Sequence, residues 1–208
     1  MLKRLTDLWR GRRVETVEEL RDFLASEAAH LSQKSTIDYC RARSGLGWQK
    51  LVSEPQFVAA LEACRWQGMA AVLADQVVVT EGSLRASAGD AAPHLAAALT
   101  AVFTAILDSS PAPDAVRADW KRLPEELAAR LARAQMGPVR NPGEVAKTSA
   151  ARVFDLLPIH PSVRVNDREM VVNSVRFGMV AFSETLVRNV REPAELTRRL
   201  AESVAASP

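Results

Sequence analysis

His160 is the residue of this 208-residue chain best placed to move a proton. Pro158 and Pro161 bracket it, and Asp155 and Asp167 lie nearby in sequence. Two prolines hold an imidazole rigidly, which suits a general base. The same Ile159-His160-Pro161 run also makes a stiff connector between helices, in which the ring only caps Leu157 or faces water. The connector reading is the stronger. No G-x-S-x-G pentapeptide supplies a nucleophile on a strand-to-helix turn, and a base without a nucleophile is half a mechanism.

Other chemistries assemble less well. His30, His94 and His160 stand far apart and outside any H-x-x-x-H spacing, so no metal is expected. Ser44-Gly45-Leu46-Gly47 is a small glycine turn with no preceding strand to aim a helix at phosphate, so no nucleotide cofactor is expected either. Cys40 and Cys64 sit at helical positions among apolar neighbours and read as small core residues rather than reactive thiols. Two cysteines cannot build a disulfide framework.

Polar groups on the two most apolar helices are the better pointer to a site. Glu62, Arg65, Gln67 and Asp75 interrupt one of them, and Asn173, Arg176, Ser183 and Glu184 fall roughly along a stripe of the other. If those helices are central, such groups must pair across the fold or line a cavity, because unpaired burial costs several kcal/mol. A buried ion-pair network that fixes helix register is the first expectation. A pocket for a small polar or amphipathic ligand is the second.

Charge placement singles out the N-terminus. Residues 1–13 hold Lys3, Arg4, Arg10, Arg12 and Arg13 against Asp7 alone, a net of +4, while the whole chain carries only +2. Leu2, Leu5, Leu8 and Trp9 fall on one side of a helix drawn over residues 2–10, with the basic residues around it. That combination suits the headgroup boundary of an anionic membrane or a docking site on a partner. The alternative, weighed equally, is that the segment packs back on the rest of the chain or frays. It is no secretory signal, because charges interrupt its apolar residues.

These residues need helices to position them, and helical signals dominate. Thr16-Val17-Glu18-Glu19 is a capping box, followed by Val17, Leu20, Leu24, Ala28 and Leu31 at three- and four-residue spacing. That helix is expected to run through Cys40 and stop at Gly45 and Gly47. Ser53-Glu54-Pro55-Gln56 opens a second helix, apolar on nearly every side from Phe57 to Thr80, as a central helix should be. Its Val77-Val78-Val79 run could instead be a short buried strand. Further helices are expected over 91–107, from Pro124 to Gly137, from Pro142 to Leu157, from Asn166 or Asp167 past Val187, and from Glu192 to about Glu202. The uncharged run from Ala91 to Leu107 spans 17 residues, contains Pro93 and is mostly alanine, so it is read as a buried helix rather than a membrane span.

With 48% hydrophobic and 25% charged residues, the composition is that of a globular protein. The expected fold is all-α: a single-domain helical bundle of six to eight helices over residues 16–208, preceded by a basic amphipathic arm over 1–15. The expected function is binding rather than catalysis, that of an adaptor or assembly protein in a bacterial cytoplasm, peripheral to the inner membrane. A small esterase-like hydrolase with His160 as base, and a carrier of an apolar ligand in the bundle core, are the alternatives. The expected partner is a protein, with an anionic membrane surface or a second copy of the chain as further candidates. Nucleic acid is not expected, since aromatics make up only 5% and the body of the chain has no basic excess.

Overall fold

The structure, a computed structural model, describes residues 13–205. Among them every regular element is helical, and eight helices have seven residues or more. The arm residues Leu2, Lys3, Arg4, Leu5, Leu8, Trp9, Arg10 and Arg12 lie outside the described residues. Arg13 is exposed and pairs with Glu15 at 3.5 Å.

Helix α1 (Val17–Gln33) opens with the capping box read from the sequence. The Thr16 hydroxyl accepts from the Glu19 amide at 3.1 Å, and the Glu19 carboxylate accepts from the Thr16 amide at 3.1 Å. A π-helical turn, Lys34–Asp38, carries the helix on into a last segment, Tyr39–Ser44. Gly45 ends it at φ +50°, a conformation open to glycine.

Helix α2 (Pro55–Arg85) is the axis of the fold. Val77, Val78 and Val79 belong to it, so the short strand is replaced by helix; α2 is surrounded by other helices and has no edge to pair with. Ser53 does not cap it. Its hydroxyl donates instead to the Lys50 carbonyl at 2.7 Å. From Gly68 to Leu84 nearly every side of α2 is buried. Gly68 lets α1 approach closely, since a Cβ there would stand 3.0 Å from Ser32 Oγ.

The remaining helices wrap this axis. They are α3 (Ala92–Ser109), α4 (Asp114–Trp120), α5 (Leu123–Gln135), α6 (Lys147–Leu156), α7 (Arg168–Asn189) and α8 (Pro193–Ala205). The short α4 was not foreseen. The helix expected from Pro142 to Leu157 is divided, with Pro142–Val145 forming one separate turn. One continuous hydrophobic core draws on all eight helices. Phe23 of α1 stacks on Phe182 of α7 with ring centroids 5.6 Å apart. Val14 N donates to Asn189 O at 3.0 Å, and Tyr39 Oη donates to Asp167 Oδ2 at 2.7 Å. Those contacts make α1 and its extension an antiparallel partner of α7 along its whole length.

Among the described residues, two helical segments are long and apolar enough by length and composition alone to cross a membrane: 89–109, with mean hydropathy 1.4, and 168–189, with mean hydropathy 1.2. Both contribute to the shared core. The second leaves much apolar surface outward, for only 28% of its window is buried.

Candidate functional site

Four polar side chains sit fully buried in the middle of α2: Asp75, Gln76, Thr80 and Glu81. Two of them, Asp75 and Glu81, bond across to other helices. Thr80 is satisfied locally by the Gln76 carbonyl at 2.8 Å. Glu81 holds Arg85 through two bonds of 2.9 and 2.6 Å and accepts from Gln135 at 3.1 Å. Arg85 also donates to Gly137 O at 2.8 Å and Ala134 O at 3.0 Å. Carbonyls left over at the end of α5 are thereby closed onto α2.

Asp75 is the centre of the second arrangement. Its carboxylate forms an ion pair with Arg130 of α5 and accepts from the Ser149 amide of α6 at 3.1 Å. Burial pushes the Asp75 carboxyl above its ordinary range. Arg130 and the bonds from Ser149 pull the other way without reversing it. Arg130 reaches outward from this pair into a cleft of about 660 Å³ between α2, α4, α5 and α6. That volume lies within the range of small-molecule and peptide sites.

The cleft has a floor of small residues, Ala70, Ala71, Ala74 and Ala129, and an apolar wall that includes Leu123 and Trp120. Trp120 is buried, its ring edge-on to Trp66 at 6.3 Å, and its indole N–H has no hydrogen-bond partner among the described residues. Polar groups form the rim. Gln67 donates to Asp119 at 2.9 Å and accepts from Arg152 at 3.3 Å, which links α4 to α6 across α2. Arg133 and Glu126 complete it. Such a surface can hold a ligand or a segment of another chain. Three of the polar groups that line it, Gln67, Asp119 and Arg152, are bonded to one another, and Arg130 and Ser149 are held by Asp75.

The residues singled out from the sequence are dispersed. Glu62 and Arg65 pair at 3.9 Å on the outside of α2, and the Arg65 guanidinium lies over the Trp66 ring at 4.5 Å. Gln67 lines the cleft, and Asp75 reaches it through Arg130. Arg176 donates to Gly143 O at 3.0 Å, Glu144 at 3.0 Å and Asn173 at 3.4 Å, tying α7 to the turn at 142–145. Glu184 is exposed on α7. The rest comprise two surface pairs, Glu62–Arg65 and Asn173–Arg176, with half-buried Ser183 and the outward Glu184 on α7.

His160 is exposed in its connector. Its Nδ1 accepts from the Ser162 amide at 3.3 Å and lies 2.7 Å from Ser162 Oγ. The ring thus caps the short turn Pro161–Val163. The two carboxylates near it in sequence are engaged elsewhere: Asp155 with Arg168 at 3.2 Å, and Asp167 with Tyr39 and Arg43. No group of three His, Cys, Asp or Glu side chains suited to a metal occurs among the described residues. Cys40 and Cys64 are buried, and burial pushes both thiols up to about 12.

Sequence reasoning missed Arg130, Ser149, Arg133 and Arg152. Spacing offered no signal for them, since their partners lie on other helices. The Glu81–Arg85 pair was accessible, because its i,i+4 spacing is visible in the chain. No protein-family model matches the chain, and no curated protein or solved structure matches it.

Proposed function

We propose that the protein is a helical bundle that acts by binding, an adaptor whose partner enters the cleft between α2, α4, α5 and α6. One observation carries this reading. This cleft of about 660 Å³ joins an alanine floor to a rim in which Asp119, Gln67 and Arg152 are already tied together, over a base fixed by Asp75 and Arg130. This is a rigid, shaped surface, which favours recognition because little order must be gained on binding. In this reading the basic arm, residues 2–13, brings the bundle to an anionic membrane surface on the cytoplasmic side.

Photo-cross-linking from position 71, on the cleft floor, tests the cleft. A discrete protein adduct that disappears in Arg133→Glu/Arg152→Glu is expected. Unchanged adducts in that variant would overturn the assignment. Flotation with phosphatidylglycerol and phosphatidylcholine vesicles tests the arm. Salt-sensitive binding to the anionic vesicles alone, lost when Lys3, Arg4, Arg10 and Arg12 become Glu, is expected; equal flotation of both forms counts against it.

A second reading rests on the 2.7 Å contact between His160 Nδ1 and Ser162 Oγ. It makes the protein a small hydrolase with His160 as base and Ser162 as nucleophile. Turnover of p-nitrophenyl esters that stops in both His160→Ala and Ser162→Ala would favour it over the adaptor.

A further inference from the structure

A second groove, of about 470 Å³, opens between α1 and α7. Leu31 of α1 and Phe177, Ala181 and Phe182 of α7 make its sides apolar, and Gln76 of the central α2 lies behind them. The other fully buried polar side chains of α2, Asp75, Thr80 and Glu81, each have a partner. Gln76 does not. It is fully buried, and neither its amide nitrogen nor its amide oxygen has a hydrogen-bond partner among the described residues. A leucine would fill the same space without that cost, so a glutamine here calls for a reason other than packing.

We propose that the α1–α7 groove binds a neutral, flat ring compound that carries a carbonyl and an N–H side by side, a lactam, and that the Gln76 carboxamide recognises it. The site is separate from the cleft and does not depend on what the cleft binds.

The amide sets the head group. A carboxamide offers a carbonyl acceptor next to an NH2 donor. A lactam edge meets both at once, its N–H donating to Gln76 Oε1 and its carbonyl accepting from Gln76 Nε2. A carboxylate could accept but not donate, and it would lose its hydration beside a buried group that carries no charge. Charges along the groove do not favour an anion either, because Glu27 opposes Lys34, with His30 between them on α1.

The walls set the body. Leu31 is held against Gly178, its Cδ2 lying 3.1 Å from the place a Cβ would take. Phe182 is held by its stack on Phe23. Phe177 is 73% exposed, an unusual state for so large an apolar ring. Gln76 exposes no surface of its own, so a ligand reaches it only when a wall residue shifts, and Phe177 has the least packing to lose. Its ring can then lie on the flat face of the ligand, an offset stack that takes both surfaces out of water. The volume of the groove is that of a small-molecule site.

Calorimetric titration of the full chain with carbostyril and with its N-methyl derivative tests the site, since the methyl group replaces only the lactam hydrogen. Carbostyril should bind about tenfold more tightly, as one hydrogen bond to a buried partner requires. In Gln76→Leu that preference should vanish while the N-methyl compound still binds, which shows the groove intact. Phe177→Glu, at an exposed position, should weaken both compounds about tenfold. No binding of carbostyril, equal binding of the two compounds by the unsubstituted chain, or a preference that survives Gln76→Leu would overturn the proposal. Undiminished binding of both by Phe177→Glu would place the ring elsewhere and overturn it as well.

Discussion

Gly178 of α7 and Leu31 of α1 meet where a Cβ on the glycine would fall inside the leucine side chain: Leu31 Cδ2 and Cγ lie only 3.1 and 3.3 Å from that position. The crossing of the two helices is set by this absence of a side chain. Alanine at 178 gains helix propensity of up to about 1 kcal/mol. Overpacking against a buried leucine costs about 1–3 kcal/mol. A net loss of about 1 kcal/mol is expected for Gly178→Ala in urea unfolding. Combined with Leu31→Ala, the loss should be smaller than the sum of the single losses. Strict additivity would show that the two side chains do not compete for one space.

Arg130 is expected to matter more for what it neutralises than for what it contacts. Removing it leaves Asp75 buried without its countercharge, and Arg130→Ala should cost about 3 kcal/mol. Asp75→Asn in the same chain should return part of that loss. If the double variant is as unstable as the sum of the two singles, the ion pair is not the link between α2 and α5.

The same carboxylate predicts a direction with pH. Asp75 is raised above its ordinary range by burial. Its contribution to stability is therefore fullest below the unfolded carboxylate value and is lost as pH rises through the folded one. The melting temperature of Asp75→Asn, relative to the unsubstituted protein, should accordingly climb as pH rises above the ordinary carboxylate range. A falling difference would mean that the attraction of Arg130 outweighs the desolvation of Asp75.

Gln76 is fully buried, and neither atom of its amide has a hydrogen-bond partner among the described residues. An unsatisfied buried amide costs about 1–3 kcal/mol. Gln76→Leu, of similar size, should raise the urea midpoint by the equivalent of about 1 kcal/mol. A fall of that size would reveal a buried water bridging the amide.

Both thiols should be silent in the native protein. Cys40 and Cys64 are buried and their thiols are pushed up to about 12, so the thiolate that reacts is scarce at pH 8. A disulfide reagent should label neither until the chain unfolds, and then both. Labelling of one cysteine in the native state would mark a local opening of α1 or α2.

Much of the architecture was legible because local signals and tertiary packing agree. The Thr16–Glu19 capping box starts α1 where spacing alone placed it, since both reciprocal bonds form between near neighbours. The Val77–Val79 run was ambiguous because a short apolar stretch looks alike in a buried strand and a buried helix. What decides it is the surrounding helices, which no window of sequence contains. Asp75 was visible as a polar residue on an apolar helix, but Arg130 lies far along the chain with no periodic relation to it. The cleft was hidden for the same reason, since its rim residues belong to four helices. The short helix Asp114–Trp120 escaped notice because its seven residues fall just short of two turns.

The π turn at Lys34–Asp38 has a consequence for how this chain tolerates change. One turn there holds a residue more than an α-helix would, and the segment beyond it aims Tyr39 and Arg43 at Asp167. Deleting a single residue within the turn would rewind it to α with the segment beyond facing as before, because the π turn holds one residue more for about the same rotation. Tyr39 would still face α7, and Cys40 the core. The same deletion in the regular part of α1 would instead swing everything after it by about 100° about the axis, so this turn is where the helix can absorb a change of length.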